Sequence, residues 1–254
     1  MRKILCLLLL LSSSLLFAAV DPYSLEVGTV ILDAGHGGHD PGTSFAWAFA
    51  GGTVYERDLT LDITKRVGAL LAVSHPDLQL VYTRSDDTYL SLAERCEIAY
   101  TTELRNQSSA LFVSIHVNSA QAREASGFEI LTKLQNKRVK LMDETTPLTN
   151  LSMLAGFSSV NLNRMLNQRN LVVASVFAET LSENLITTQN RGVKERDLYV
   201  LNASRVPAVL VEVGFLTNEE DARNLVSPQW RQRAAQAIAL AIERCLQEDV
   251  DGNL

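Results

Sequence analysis

Val27-Gly28-Thr29-Val30-Ile31-Leu32-Asp33-Ala34-Gly35-His36-Gly37-Gly38-His39-Asp40-Pro41-Gly42 is an apolar run that breaks into a glycine-rich turn carrying two histidines. The run has strand length and little polar alternation, the pattern of a strand buried on both faces of its sheet. Residues 78–83, 110–115 and 208–213 share that character. Between these runs the period changes: 58–73 places Leu59, Ile63, Val67, Leu70 and Leu71 on one helical face, and 171–185 and 229–246 behave alike. Strands alternating with helices of this length predict one α/β domain, with a mostly parallel sheet and helices on both faces.

The composition fits that reading. A chain of 254 residues with 46% hydrophobic and 20% charged residues buries enough surface to fold without disulfides or a structural metal. Any metal must therefore serve chemistry. Residues 1–19 are different in kind: Arg2 and Lys3, an apolar stretch, three serines at 12–14, and small residues Ala18 and Ala19. They read as a secretory signal peptide, since the serines interrupt the roughly 20 apolar residues that a membrane span needs. The mature chain, 20–254, then has 21 basic against 29 acidic residues, a formal charge of −8, which argues against nucleic acid as a partner. No transmembrane anchor is expected in it, and its expected location is outside the cytoplasm, in the periplasm or cell envelope. Cys96 and Cys245 lie on apolar helical stripes and read as buried thiols, although an exported protein is also permitted a bridge between them. The stretch 135–170, rich in Asn, Thr, Ser and Leu, alternates poorly and reads as a helical insertion, either a pair of surface helices or a lid.

Four residues carry the chemistry. His36 follows the first strand between glycines that let the backbone turn sharply, and the turn lacks the spacing of a phosphate-binding loop. His116 ends the apolar run Phe112-Val113-Ser114-Ile115. Carboxyl ends of parallel strands share one edge of a sheet, so the two imidazoles are placed to meet there. Glu56 opens the helical pattern, where an acid either complements the helix dipole or serves as an ionised ligand. Glu212 interrupts Ala208-Val209-Leu210-Val211, and a carboxylate buried there costs several kcal/mol unless it is compensated or protonated. Two imidazoles and a carboxylate with an open position make the donor set of a catalytic zinc, and Glu212 is then placed to act as general base on a water attacking a carbonyl. His39 and His75 stand outside this set, as a neighbour of the site and a surface turn residue respectively.

Five ordered blocks give that assembly a second footing. Val30-Ile31-Leu32-Asp33-Ala34-Gly35-His36-Gly37-Gly38, Glu56-Arg57-Asp58-Leu59, Ser114-Ile115-His116-Val117-Asn118, Arg191-Gly192-Val193-Lys194 and Val211-Glu212-Val213-Gly214-Phe215-Leu216-Thr217-Asn218 together resemble the zinc-dependent N-acetylmuramoyl-L-alanine amidases of cell separation and sporulation. The resemblance implies a sheet of about six strands, one Zn²⁺ on His36, Glu56 and His116, and Glu212 as catalytic glutamate. It implies peptidoglycan as substrate, cleaved between N-acetylmuramic acid and L-alanine of the stem peptide. It also offers Asn118 as a residue orienting His116 or substrate, and Arg84 as a mainly structural residue with a secondary claim to substrate contact. Arg57 departs from the family in standing where lysine is commoner. Division-associated relatives carry a blocking helix where 135–170 falls, so Asp143 or Glu144 is expected to cover the open metal position until an activator protein displaces the segment. The competing readings are a zinc peptidase cutting within the stem peptide, a wall-binding domain without catalysis, and a serine hydrolase built on Ser114.

Overall fold

The computed structural model of the chain describes residues 20–105 and 108–247; residues 1–19, expected from the sequence to be a signal peptide, lie outside them. β1 (Val27–Ala34) is followed by a hairpin, β2 (Ser44–Trp47) and β3 (Gly52–Tyr55), and by α1 (Glu56–Ser74). Then come β4 (Gln79–Tyr82), α2 (Leu92–Thr101), β5 (Ser109–Asn118), β6 (Phe128–Lys133), α3 (Leu148–Leu154), α4 (Ser159–Asn184), β7 (Asn190–Arg196), α5 (Tyr199–Ala203), β8 (Ala208–Phe215), α6 (Glu219–Val226) and α7 (Pro228–Gln247). Six strands form one sheet in the order β4-β1-β5-β8-β6-β7. All neighbours are parallel except β6 and β8, so the expected α/β layer with a mostly parallel sheet is present.

The side-chain period of two explains the layers. Val30, Leu32, Val113, Val209 and Val211 face one way, into a core closed by α1, α4 and α7. Ile31, Ala110, Phe112, Ala208 and Leu210 face the other way, toward α2 and α5. Right-handed crossovers require this: the chain leaves β1 in one direction to reach β4 and returns in the other to reach β5, so α1 and α2 fall on opposite faces. The direction of winding therefore reverses between β1 and β5. A crevice opens at the carboxyl ends of strands at such a point, and His36 and His116 lie on its two sides. Cys96 and Cys245 sit in the two separate cores, on opposite faces, and are not bridged.

The 135–170 stretch is not a separable unit. Residues 159–170 are the first half of α4, and Leu162 and Leu166 close a small third core with Tyr23, Leu141 and Leu154. The part before Ser159 packs on α4 through Leu141 and Leu154. Among the described residues, no helix is long and apolar enough to cross a membrane.

Asp33 anchors the end of β1 inside the protein. It is fully buried, accepts from Arg95 Nη1 and Thr83 Oγ1 at 2.7 Å each, and accepts from Ser114 Oγ at 2.6 Å. Burial alone would raise its carboxyl, but Arg95 and the two hydroxyls outweigh it and hold the group below its ordinary value of 3.8. Asp33→Asn leaves the Arg95 guanidinium without a countercharge, and thermal or urea unfolding near neutral pH is expected to show a loss of about 3–5 kcal/mol. A carboxyl whose value is depressed by folding contributes above its unfolded value and loses that contribution as pH falls through the folded one. The gap between wild type and variant should therefore persist down to the region of 3.8 and narrow only below it.

Candidate metal and active site

Glu56 occupies the first position of α1, with Tyr55 extended before it and no side-chain cap. Instead the turn after β1 closes the helix end: the Glu56 amide donates to Thr43 O at 2.9 Å and the Arg57 amide to Pro41 O at 3.2 Å. The Glu56 carboxylate reaches back in the opposite sense. Its Oε2 accepts from Thr43 N at 2.8 Å and its Oε1 from Val117 N at 3.0 Å. Each oxygen also faces an imidazole, with His36 Nε2 3.2 Å from Oε2 and His116 Nδ1 2.9 Å from Oε1. One donor atom from each of the three residues lies within 4.8 Å of the others, a group that can hold a metal ion.

The surroundings fit a cation. His36 Nδ1 is 2.8 Å from Asp40 Oδ2, and this contact fixes the ring with Nε2 turned inward, as a histidine ligand needs. Desolvation would raise Glu56, yet hydrogen bonds from His116 and His36 hold its carboxyl far below the ordinary range. Desolvation likewise opposes charge on the two imidazoles, and their bonds to Glu56 reverse that, raising both. A carboxylate that stays ionised beside two rings stabilised as cations is a place where positive charge is favoured. The backbone leaves room for these groups. A Cβ on Gly35 would lie 2.3 Å from Cε1 of His116, and one on Gly42 would lie 2.5 Å from Oε2 of Glu56. His36 itself adopts φ 61°, an uncommon conformation for a residue with a side chain.

Glu212 is opposite His116 on the neighbouring strand. Its Oε2 is buried without a hydrogen-bond partner, and burial, the first cause, pushes the carboxyl up to about 7, with His116 pulling the other way and Glu56 and Glu129 adding to the rise. A cation held by the triad would draw that value down again. The four expected residues are thus brought to one edge of the sheet, beside a cleft of about 170 Å³ bordered by Tyr89, Leu90, Leu198 and Tyr199.

Other candidates have different placements. Arg84 is 4% exposed and donates to Ala34 O, Gly35 O, Arg57 O, Asp86 O and Thr60 Oγ1, so it organises the turn from inside the protein. Asn118 reaches Glu129 Oε2 at 3.5 Å, while the ring of His116 is set by Glu56. Asp143 is not brought to the histidines. It pairs with Arg205 Nη2 at 2.6 Å, just before β8 begins and hence at the opposite edge of the sheet, and Glu144 beside it is exposed. The expected covering of the metal position by Asp143 or Glu144 is not the conformation seen, because the Arg205 guanidinium holds the segment elsewhere. Ser114 is fully buried and donates to Asp33, which removes it as a nucleophile. The aromatic loop after Gly42 is the β2–β3 hairpin with a 3₁₀ turn, and Trp47 donates to Leu216 O at 3.0 Å, so its rings pack inward. Glu129, unforeseen in sequence, faces Glu212 across β6 and β8.

The N-acetylmuramoyl-L-alanine amidase family model matches residues 30–244, which contain every group just described. The chain belongs to this family. The amidase is 36% identical over 219 residues to the uncharacterised protein YqiI of Bacillus subtilis, covering 86% of this chain and 85% of that one. It is 32% identical over 210 residues to the N-acetylmuramoyl-L-alanine amidase LytC of the same organism, covering 83% of this chain and only 34% of LytC. Among solved structures, the CwlD amidase of Clostridioides difficile in complex with the GerS lipoprotein superposes with a TM-score of 0.66 at 26% identity, covering 87% of this chain and 99% of CwlD. The chain is accordingly a peptidoglycan N-acetylmuramoyl-L-alanine amidase.

Equilibrium dialysis against Zn²⁺ is expected to find one ion retained per amidase chain, with Glu56→Ala weakening retention by more than the roughly 100-fold that loss of an outer partner of a ligand costs. Full retention by a His36→Ala, His116→Ala double variant would place the ion elsewhere.

Proposed function

We propose that the amidase hydrolyses the bond between the lactyl group of N-acetylmuramic acid and L-alanine as a zinc enzyme, with His36, Glu56 and His116 as ligands and Glu212 as general base. The carrying observation is the unpartnered, buried Oε2 of Glu212 one strand away from His116. A polar atom left in that state costs on the order of 1–3 kcal/mol, a cost that is offset when it accepts a proton from substrate or water. Zinc, when bound, supplies polarisation of the scissile carbonyl and acidification of a water molecule. The chain does the rest. Glu212 takes the proton of the attacking water, holds it in a buried environment that tolerates the neutral acid, and delivers it to the departing amide nitrogen. The muramyl side leaves as a carboxylic acid and the stem peptide with a free α-amino group.

Residues 1–19 as a signal peptide, and a substrate that lies outside the cytoplasm, both support export to the envelope. A protein partner that acts through 135–158 would dock at the edge where the strands begin, remote from the histidines, since Asp143 and Arg205 tie the segment there.

Digestion of purified peptidoglycan tests the reading. Release of peptides that begin with L-alanine is expected, lost on chelation, restored by Zn²⁺, and reduced at least about 10³-fold by Glu212→Gln, which keeps the shape and removes the base. Peptide fragments that remain linked to muramic acid would instead assign the enzyme to the stem peptide's internal bonds.

A further inference from the structure

The line of charged groups at the site continues past Glu212. In the sheet register Glu212 faces Glu129 on β6, and Leu131, two residues on, faces Lys194 on β7. The two-residue period places Glu212, Glu129 and Lys194 on the face that also holds Leu210 and Leu131, the face onto which the cleft opens. Glu129 is only 6% exposed, and its Oε1 accepts from both Lys194 Nζ, at 2.6 Å, and Arg191 Nε. Both cations belong to the Arg191-Gly192-Val193-Lys194 block, to which the metal site and the base assign no role.

We propose that Arg191 and Lys194 receive a free carboxylate of the stem peptide and thereby position the leaving side of the scissile amide. This rests on the amidase reading above. One cation suffices to neutralise Glu129, so the second is in excess and the cluster is left with one positive charge. Its donors are not exhausted: among the described residues Lys194 gives one of three protons, to Glu129, and Arg191 uses Nε on Glu129 and Nη1 on Ser126 O at 3.4 Å. The guanidinium plane is steadied over the Phe215 ring at 4.9 Å, and both side chains keep more than a quarter of their surface open, at 29% and 28%. Three other cations near this edge are committed: Arg84 and Arg95 are buried on the carbonyls of the β1 turn, and Arg57 donates to Gly38 O beside Asp87, while Arg123 is exposed against Phe45 of the β2–β3 hairpin. The opposite flank of the cleft presents Tyr89, Leu92 and Tyr199, all substantially exposed and none able to neutralise an anion.

The span agrees with the chemistry of the substrate. β7 lies two strand spacings from β8, about 10 Å, and an extended peptide covers that in roughly three residues. Stem peptides carry free carboxylates at such positions, and walls differ in whether these are amidated. The recognised carboxylate therefore belongs to the second or third stem residue.

The test uses the zinc-loaded full-length mature protein and soluble muramyl peptides, comparing the free acid with the amide at the second residue and, separately, at the third. For one of the two positions the wild type is expected to prefer the acid by about tenfold in kcat/KM, carried by KM, as one charge-assisted hydrogen bond provides. Lys194→Met and Arg191→Met should each bring that ratio toward one, and Lys194→Arg should retain it. Thermal melting shows whether each variant folds. Product inhibition of the unaltered enzyme gives an independent measure, with the free-acid peptide inhibiting about tenfold more strongly than its amide. Equal handling of acid and amide at both positions by wild type overturns the inference while leaving the amidase activity intact, as does a preference that survives in the double Arg191→Met, Lys194→Met variant. Failure of the wild type to release any L-alanine-terminated peptide overturns the reading beneath it as well.

Discussion

The carboxylate of Glu56 is the point at which the start of α1, the turn after β1 and the end of β5 converge. It is 3% exposed, and it is shared by two imidazoles that follow or end β1 and β5 and by two backbone amides, Thr43 just before β2 and Val117 in β5. An ionised carboxylate so placed is stable only if every lone pair is met, because its desolvation costs several kcal/mol. The four donors meet it, and in doing so they fix the start of α1 and the turn after β1 against the end of β5, which is already paired with β1 through Gly35 N and Ile115 O. The geometry of the two histidines is therefore set before any ligand arrives, which is what a site of high affinity and defined coordination requires.

Holding Glu56 imposes strain one step away. His36 turns its ring to the carboxylate only by taking a left-handed backbone conformation, and such a residue persists where its surroundings over-determine it. Two guanidiniums supply that. Arg84 and Arg95 both enter beneath the turn and donate to the carbonyls of Ala34, Gly35 and His36. Arg95 is in turn paired with Asp33. Since Arg84 lacks a carboxylate among its hydrogen-bond partners, its charge is carried by carbonyl dipoles, and its desolvation, the dominant influence, lowers its proton affinity. A lysine could not replace it, because the planar fork is what reaches several carbonyls at once.

What was legible in the sequence follows from how the signals are made. β1, β5 and β8 announce themselves because strands at a sheet's centre are apolar on both faces, and β4, half-buried at one edge, is marked by its short apolar run alone. The strand β7, Asn190-Arg191-Gly192-Val193-Lys194-Glu195-Arg196, is an edge strand with one apolar residue, so no hydrophobic period marks it. The strand β6 is buried throughout yet contains Glu129 and Lys133, whose charges disguise it. Lys133 is wholly buried with its ammonium on carbonyls and Asn167, a tertiary arrangement invisible to periodicity. The first half of α4 was hidden for a similar reason: its asparagines look like loop residues, but Asn163 and Asn170 cap the 139 segment and the start of β8. The chemistry was more legible than the boundaries, since a carboxylate inside an apolar run and histidines at strand ends are exceptions that need a cause.

Glu212 and Glu129 show that cause most clearly, because they are the same residue type, on facing positions of adjacent strands, with opposite fates. Both interrupt an apolar run, and the same signal that singles out Glu212 was present in Phe128-Glu129-Ile130-Leu131 in a shorter form. Burial acts first on each, raising the carboxyl. At Glu129 the nearby Lys194 and Arg191 reverse that and keep the group ionised, whereas at Glu212 burial prevails and Oε2 has no partner. Two carboxylates side by side are thus pushed apart by their environments: one stays charged and holds cations in place, the other is driven toward the neutral acid, the state that the proposed proton transfer needs. If Glu129 lacked its cations, it would compete with Glu212 for the same proton and both would titrate as a pair. Confining the cations to β7 thus preserves the contrast between the two carboxyls on which the base role proposed for Glu212 depends, and the edge strand with the weakest sequence signal shapes the electrostatics at the centre of the sheet.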